Sequence, residues 1–189
     1  MDYARIAPMM GRLWSPLAAV TASWQGRDNA QMCLSIGGAS IVPDVPRVVV
    51  HLYKTNLTHE MVVGSKAFAL CFLRQDQQEL VHRLGFVSGR GGDKVSGLRH
   101  HKGVTGSPVL EDCWGYLDCA VIDALDGGDM TCFLAEVLDG RMVGAGEPLS
   151  WHQMRQTMPR AWHEEWDRKI TGEIAVSRKT MRRAAARRA

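Results

Sequence analysis

The chain has 189 residues, 46% of them apolar, with a formal net charge of +3; this suits one domain with an appendage and is enough apolar content for a full core. No run approaches the roughly 18 consecutive apolar residues of a membrane span, and Met1-Asp2-Tyr3-Ala4-Arg5 lacks the charged-then-apolar pattern of a secretory signal, so a cytoplasmic location is the default expectation. Six cations and no acid lie between Ser177 and Ala189, which leaves about −3 on the remainder by subtraction, so the basic balance makes no case for nucleic-acid binding by the core.

Taken in order, the first 150 or so residues read as strands with few helices. Leu17 to Ala22 is a short apolar strand. It ends in the polar turn Gln25-Gly26-Arg27-Asp28-Asn29, and Gln31 to Ile36 is its return strand. Pro46 to Tyr53 is rich in β-branched residues and reads as a strand, with proline tolerated at its first position. Thr58 is placed to cap a short helix that ends near Gly64, with Glu60 in its first turn. Ala67 to Leu73 is the next strand. Asp76 and Glu79 form a variant capping box for a helix that carries Leu80, Val81 and Leu84 and ends at Gly85. Tyr116 to Ala124 and Met130 to Leu138 read as antiparallel strands around Asp126-Gly127-Gly128-Asp129. Many short strands with few helices point to a mainly β fold, a β-barrel with helical inserts.

The composition changes at Trp151. Trp151, Met154, Met158, Trp162 and Trp166 recur at three- to four-residue steps and predict an amphipathic helix pair broken at Pro159. A stripe of this kind reads as packing surface for a core or a dimer contact, with ligand stacking as the alternative. The arginine-rich end reads as a solvated tail, with a polyanion-binding arm as the alternative. The expected division is therefore a barrel domain over 1–152 and a helical, basic extension over 153–189.

Several chemistries lack their motifs. There is no Gly-x-Gly-x-x-Gly after a strand, no Gly-x-x-x-x-Gly-Lys-Ser/Thr loop and no Gly-x-Ser-x-Gly elbow. The five cysteines are odd in number and lack Cys-x-x-Cys spacing, which suits buried reduced thiols and supplies no metal-ligand cluster. His100 and His101 are adjacent in a polar loop and read as solvated. Two polar turns remain. Ser88-Gly89-Arg90-Gly91-Gly92-Asp93-Lys94 combines flexible backbone, a hydroxyl and two cations. Lys54-Thr55-Asn56-Leu57-Thr58-His59 offers a cation, an amide and a hydroxyl at the start of a helix, whose free amides suit an anion. Together they suggest a phosphorylated ligand.

The chain resembles the flavin reductase-like family of FMN-binding split barrels, and is similar in particular to flavoredoxin-type modules and to those fused to rubredoxin or flavodiiron proteins. The matching pieces follow the family order from about residue 10 to about residue 152. They include Pro46-Arg47-Val48-Val49-Val50, Asn56-Leu57-Thr58-His59-Glu60-Met61, Gly85-Phe86-Val87-Ser88-Gly89-Arg90, Asp93-Lys94, Gly106-Ser107-Pro108-Val109-Leu110, Gly128-Asp129 and Glu147-Pro148-Leu149. The resemblance implies a homodimeric, six-stranded Greek-key split β-barrel with one FMN per subunit. It implies that the strand after Asn29 faces the isoalloxazine ring, with Asn29 and Ser35 as contacting side chains. Lys54, Asn56, Leu57 and Thr58 in one turn, and Ser88, Gly89, Arg90 and Lys94 in the other, would hold the phosphate and ribityl chain. Of these, Lys54, Thr58 and Arg90 are the expected phosphate contacts. Asp93 is equally suited to bracing its loop by pairing with Lys94 or Arg90.

The pattern departs from the family in places. Asp44-Val45-Pro46 stands for Asp-Pro-Pro, Val95 for a phenylalanine, and Met130 for the histidine of Gly-Asp-His. The resemblance implies an FMN-dependent reductase that passes electrons from NADH or NADPH to free flavin, ferric iron or a protein acceptor. Met130 keeps a second reading open: a flavoredoxin-like carrier that exchanges electrons only with ferredoxin-, rubredoxin- or flavodiiron-type partners. A barrel that has lost flavin and serves as a binding module is the third. No catalytic side chain is assigned, because a flavin would do the chemistry.

Overall fold

Side-chain alternation along two neighbouring strands divides the interior into two cores. The computed structural model describes residues 7–10 and 16–181. Its elements are α1 (Ala7–Met10), β1 (Ala18–Trp24), β2 (Arg27–Cys33), β3 (Ile36–Gly38), β4 (Arg47–Tyr53), α2 (Leu57–Ser65), β5 (Ala67–Phe72), α3 (Gln78–Gly85), β6 (His100–Lys102), β7 (Pro108–Leu110), β8 (Gly115–Asp126), β9 (Met130–Met142), α4 (Trp151–Thr157) and α5 (Arg160–Ser177). Val20, Phe68 and Leu70 point to one side with Val50, Leu52 and Phe133. Ala19, Ala69 and Cys71 point to the other, against Val81, Leu84, Val95 and Met154. Because strand side chains alternate, β1 and β5 are buried on both faces and carry no polar alternation.

The main sheet runs β2-β1-β5-β8-β9-β4-β3, with every pairing antiparallel. Only Leu34 and Ser35 separate β2 from β3. The first half of this run pairs with β1 and the second with β4, and the His51 amide donates to the Ser35 carbonyl at 3.0 Å. The seven strands are therefore six staves, and the bend at Leu34–Ser35 closes the ring. This is the expected split barrel, with β3 and the small β6–β7 ribbon as strands that the sequence reading did not separate. β4 and β5 lie on different sides of the ring, and α2 joins them across one end. Met61 and Val62 from α2 plug the inner core.

Three local expectations are corrected. The β1–β2 turn is only Gln25-Gly26, with φ of 52° and 75°, as a type I′ hairpin requires. Arg27, Asp28 and Asn29 therefore belong to the strand rather than to the turn. Asn56, not Thr58, occupies the N-cap of α2; the helix does end near Gly64, at Ser65, with Lys66 as its left-handed C-cap. Gly64 lies under the Trp24 ring, where a Cβ would come within 2.3 Å. Before α3, Asp76 bonds Arg74 at 3.0 Å and Gln77 is the N-cap, so the expected capping box is absent.

The C-terminal helix pair breaks at Pro159 as expected, and α4 opens on a capping box between Ser150 and Gln153. Met154 and Met158 are buried in the outer core, so position 152 lies inside a helix that packs on the barrel. All five cysteines are free, and only Cys132 is not fully buried. The arginine-rich segment beyond Met181 lies outside the described residues. No described helix is long and apolar enough to cross a membrane.

Candidate functional site

β2 is the terminal strand of the sheet order, so among the described residues its second edge has no ladder partner until β3 begins. A cavity of about 810 Å³ lies along this edge. Residues 29 and 31–35 form one wall and Tyr53 with residues 55–58 a second. Leu84 to Gly89 with Lys94 form a third, and Trp151 with α5 a fourth.

Asn29 joins the two polar turns. It is 2% exposed, and its Nδ2 donates to Thr58 Oγ1 at 2.8 Å. Its carboxamide also lies against the backbone of Gly89, where a Cβ would come 2.3 Å from Oδ1. The glycine at 89 is thus a close-approach residue, and its φ is not left-handed. Arg27 adds a second tie from β2, donating from Nη2 to the Gly89 carbonyl at 2.5 Å. The N-cap Asn56 makes no side-chain cap bond, which leaves the first amides of α2 uncapped by that side chain. Thr55 Oγ1 and Gln31 Oε1, both on cavity-lining residues, are buried and have no hydrogen-bond partner among the described residues. Buried polar atoms without partners are uncommon and suit a ligand that carries polar groups of its own.

Of the ten residues singled out from sequence, Asn29, Ser35, Asn56, Leu57, Thr58, Ser88, Gly89 and Lys94 line this cavity. Lys54 and Arg90 do not. Lys54 Nζ bonds Asp126 at 2.5 Å, and Arg90 forks onto Glu60 at 2.6 and 3.2 Å and reaches the Thr55 carbonyl at 3.4 Å. Arg90 therefore ties the glycine-rich loop to α2. The same bond holds the Glu60 carboxyl below its ordinary range and raises the guanidinium above its own. Asp93 braces its loop through other partners than expected. Its Oδ1 accepts from the amides of Val95 and Ser96, each at 2.9 Å, and these hold its pKa down. Lys94 is buried and donates to the carbonyls of Leu84 and Val87 at 2.8 and 3.0 Å, at the C-terminal end of α3. Burial and then the charge of Lys169 push its pKa down to about 8.

Sequence reasoning missed Gln31, Thr55 and the whole α5 wall: Trp166, Lys169, Ile170, Gly172, Glu173 and Val176. The signal for α5 was present. The spacing that begins at Trp162 and Trp166 continues through Ile170 and Glu173, so one helix face runs past the packed barrel and over the cavity.

Comparison with known proteins bears on the family and the fold. The model of the flavin reductase-like domain matches residues 10–158. The high molecular weight rubredoxin of Moorella thermoacetica is 31% identical over 145 residues, covering 74% of this chain; the match spans 62% of that longer protein. The reductase component of a 4-nitrophenol 4-monooxygenase/4-nitrocatechol 2-monooxygenase from Rhodococcus opacus is 30% identical over 155 residues, covering 82% of this chain and 80% of its own length. Among solved structures, an FMN-binding protein from Thermus thermophilus superposes with a TM-score of 0.64 at 27% identity, over 69% of this chain and 73% of its own. At 20% identity, flavoredoxin from Methanosarcina acetivorans shares the fold, with a TM-score of 0.64 over 75% of this chain and 77% of its own.

Proposed function

The chain belongs to the flavin reductase-like domain family, and on that premise we propose that it is an FMN-dependent oxidoreductase. It would take electrons from NADH or NADPH and pass them to free flavin, ferric iron or a redox protein. The carrying observation is the convergence of an unpaired strand edge, an uncapped helix N-terminus and the Ser88-Gly89 turn on one cavity. A planar heterocycle rich in donors and acceptors suits the backbone of Gln31 to Ser35, and a phosphate suits the amides of Leu57 and Thr58, since the Asn56 amide already donates to the Tyr53 carbonyl at 3.1 Å. Thr55 Oγ1, Gln31 Oε1 and Ser88 offer further polar contacts. Lys54 and Arg90 stand behind the phosphate end, each offset by a carboxylate, so helix amides supply most of the local positive potential. The names of a Thermus FMN-binding protein and a Rhodococcus reductase component support FMN and a reductase role for this chain.

When bound, the flavin supplies hydride and single-electron chemistry. The protein's part is to hold it and keep water from it. Val81, Leu84 and Phe86 give the third wall an apolar lining, and Trp151 and Trp166 do so for the fourth. Asn29 fixes the distance between the two turns that grip the polar end. A homodimer is part of this reading, as the family resemblance implies.

Met130 lines the cavity where the family commonly has histidine, and this favours a second reading, a carrier that accepts electrons only from proteins. The likeness to a high molecular weight rubredoxin supports such redox partners. One experiment separates the readings: the visible spectrum of the purified protein with FMN, before and after anaerobic NADH or NADPH. Flavin absorbance that bleaches with a nucleotide supports the reductase. Bound flavin reduced only by a ferredoxin-type donor supports the carrier, and absence of flavin binding removes both.

A further inference from the structure

The face of α5 changes its task halfway along. In its first turns, Trp162 stacks on His82 at 4.4 Å, and Trp166 packs on Phe86 at 5.3 Å and Trp151 at 4.8 Å. His82 Nε2 also bonds Glu165 at 2.8 Å, so this half is clamped to α3. The next two turns continue the same face, but Lys169, Ile170, Glu173 and Val176 meet the cavity instead of the barrel. Ile170 supplies apolar surface there. Lys169 and Glu173 form an i,i+4 ion pair, each side chain only about a quarter exposed. This pair stands close enough to Lys94 for the two lysine charges to repel. Lys94 already directs two of its bonds to main-chain carbonyls. Lys169 has one carboxylate beside it and the cavity before it.

We propose that the second half of α5 is a wall of the flavin site, and that Lys169, buffered by Glu173, makes the site bind reduced flavin more tightly than oxidised flavin. This rests on the flavin reading above. A flavin gains electron density on reduction, and a cation in a cavity with apolar walls stabilises the more negative form by more than it would in water. Glu173 limits the effect, since its carboxylate cancels part of the same field. Lys169 is a positioning residue for charge and takes no part in bond making.

The test is to measure the affinity for oxidised FMN by fluorescence quenching and the midpoint potential of the bound flavin by anaerobic dye equilibration. Wild type is compared with Lys169→Met, Lys169→Arg and Glu173→Gln. In Lys169→Met, oxidised FMN binds within about threefold of wild type while reduced FMN binds about tenfold more weakly, which is a potential lower by about 30 mV for a two-electron couple. Glu173→Gln shifts the potential the opposite way, and Lys169→Arg restores it. Unchanged potentials in both variants, or shifts of the same sign, overturn the inference while leaving flavin binding intact. Failure of the wild type to quench FMN fluorescence at all would instead show that the flavin reading is wrong, and this inference with it. If Lys169→Met does not fold, the sign of the Glu173→Gln shift decides alone.

Discussion

Gly89→Ala places one methyl group against the side chain that joins the two turns of the site. An ideal Cβ at position 89 would lie 2.3 Å from Asn29 Oδ1, 2.8 Å from Cγ and 2.9 Å from Nδ2. Because Gly89 is not in a left-handed conformation, alanine costs nothing through φ, and the clash acts alone. Asn29 has little freedom to yield, being 2% exposed and bonded to Thr58 at 2.8 Å. Rotating it away would leave a buried amide and hydroxyl without their bond, at about 1–3 kcal/mol. Moving the loop by an ångström or so instead strains the Arg27 bond to the Gly89 carbonyl and is an overpacking change of similar size, about 1–3 kcal/mol. The loop is the softer part, so most of the cost falls on ligand binding. The expected loss of FMN affinity is about thirtyfold, corresponding to about 2 kcal/mol, read by fluorescence quenching. Global unfolding should move by only a few degrees, since about 1 kcal/mol shifts the midpoint of a chain this size by roughly 2–4 °C. Introduced into Asn29→Ala, the same substitution should cost under about 0.5 kcal/mol, because the clashing atoms are gone. An equal loss in both backgrounds would refute the clash as the cause.

Two further changes probe the scaffold and the C-terminal segment. His59 is buried against Phe133 and bonds Thr131 at 2.8 Å, and burial, then Lys54, holds its pKa below the ordinary 6.5. The folded state therefore binds this proton less readily than the unfolded state. Its contribution is complete above about pH 6.5 and is lost as pH falls below it, by at most about 1.4 kcal/mol per pH unit. Denaturant titrations from pH 7.5 to 5 should show a shallower decline in His59→Gln than in wild type, and parallel curves would count against the assignment. Removing residues 178–189 takes away the six clustered cations and none of the described cavity-lining residues, so FMN affinity should hold within about twofold. Cutting back to residue 168 also removes Lys169, Ile170 and Val176, and should weaken it at least about tenfold. A large loss from the shorter truncation would show that the basic tail closes the site.

The barrel was legible because its signals are local. Val48-Val49-Val50 reads as a strand anywhere, and the Pro159 break follows from proline's missing amide. The misplaced features were those that a distant partner sets. Thr58 looked like a helix cap because its hydroxyl stands at the right place in sequence, yet that hydroxyl accepts from Asn29, across the barrel mouth. Asp76 looked like a capping residue until Arg74 took it. The β2–β3 bend has no sequence mark of its own, since what divides the run is a change of neighbour from β1 to β4.

By itself, the sequence determined the motif order, the apolar periodicities and two polar turns suited to a phosphorylated ligand. Tertiary structure alone decided which of their cations meet the cavity. Lys54, Arg90, Lys94 and Lys169 all carry long basic side chains, but carboxylates 72 and 30 residues away in the chain hold the first two at the rim. Lys169, in a helix set aside as packing surface, is carried to the cavity wall. The physical reason is that a charged side chain settles on the nearest opposite charge in space, and distance in space is fixed only when the barrel closes.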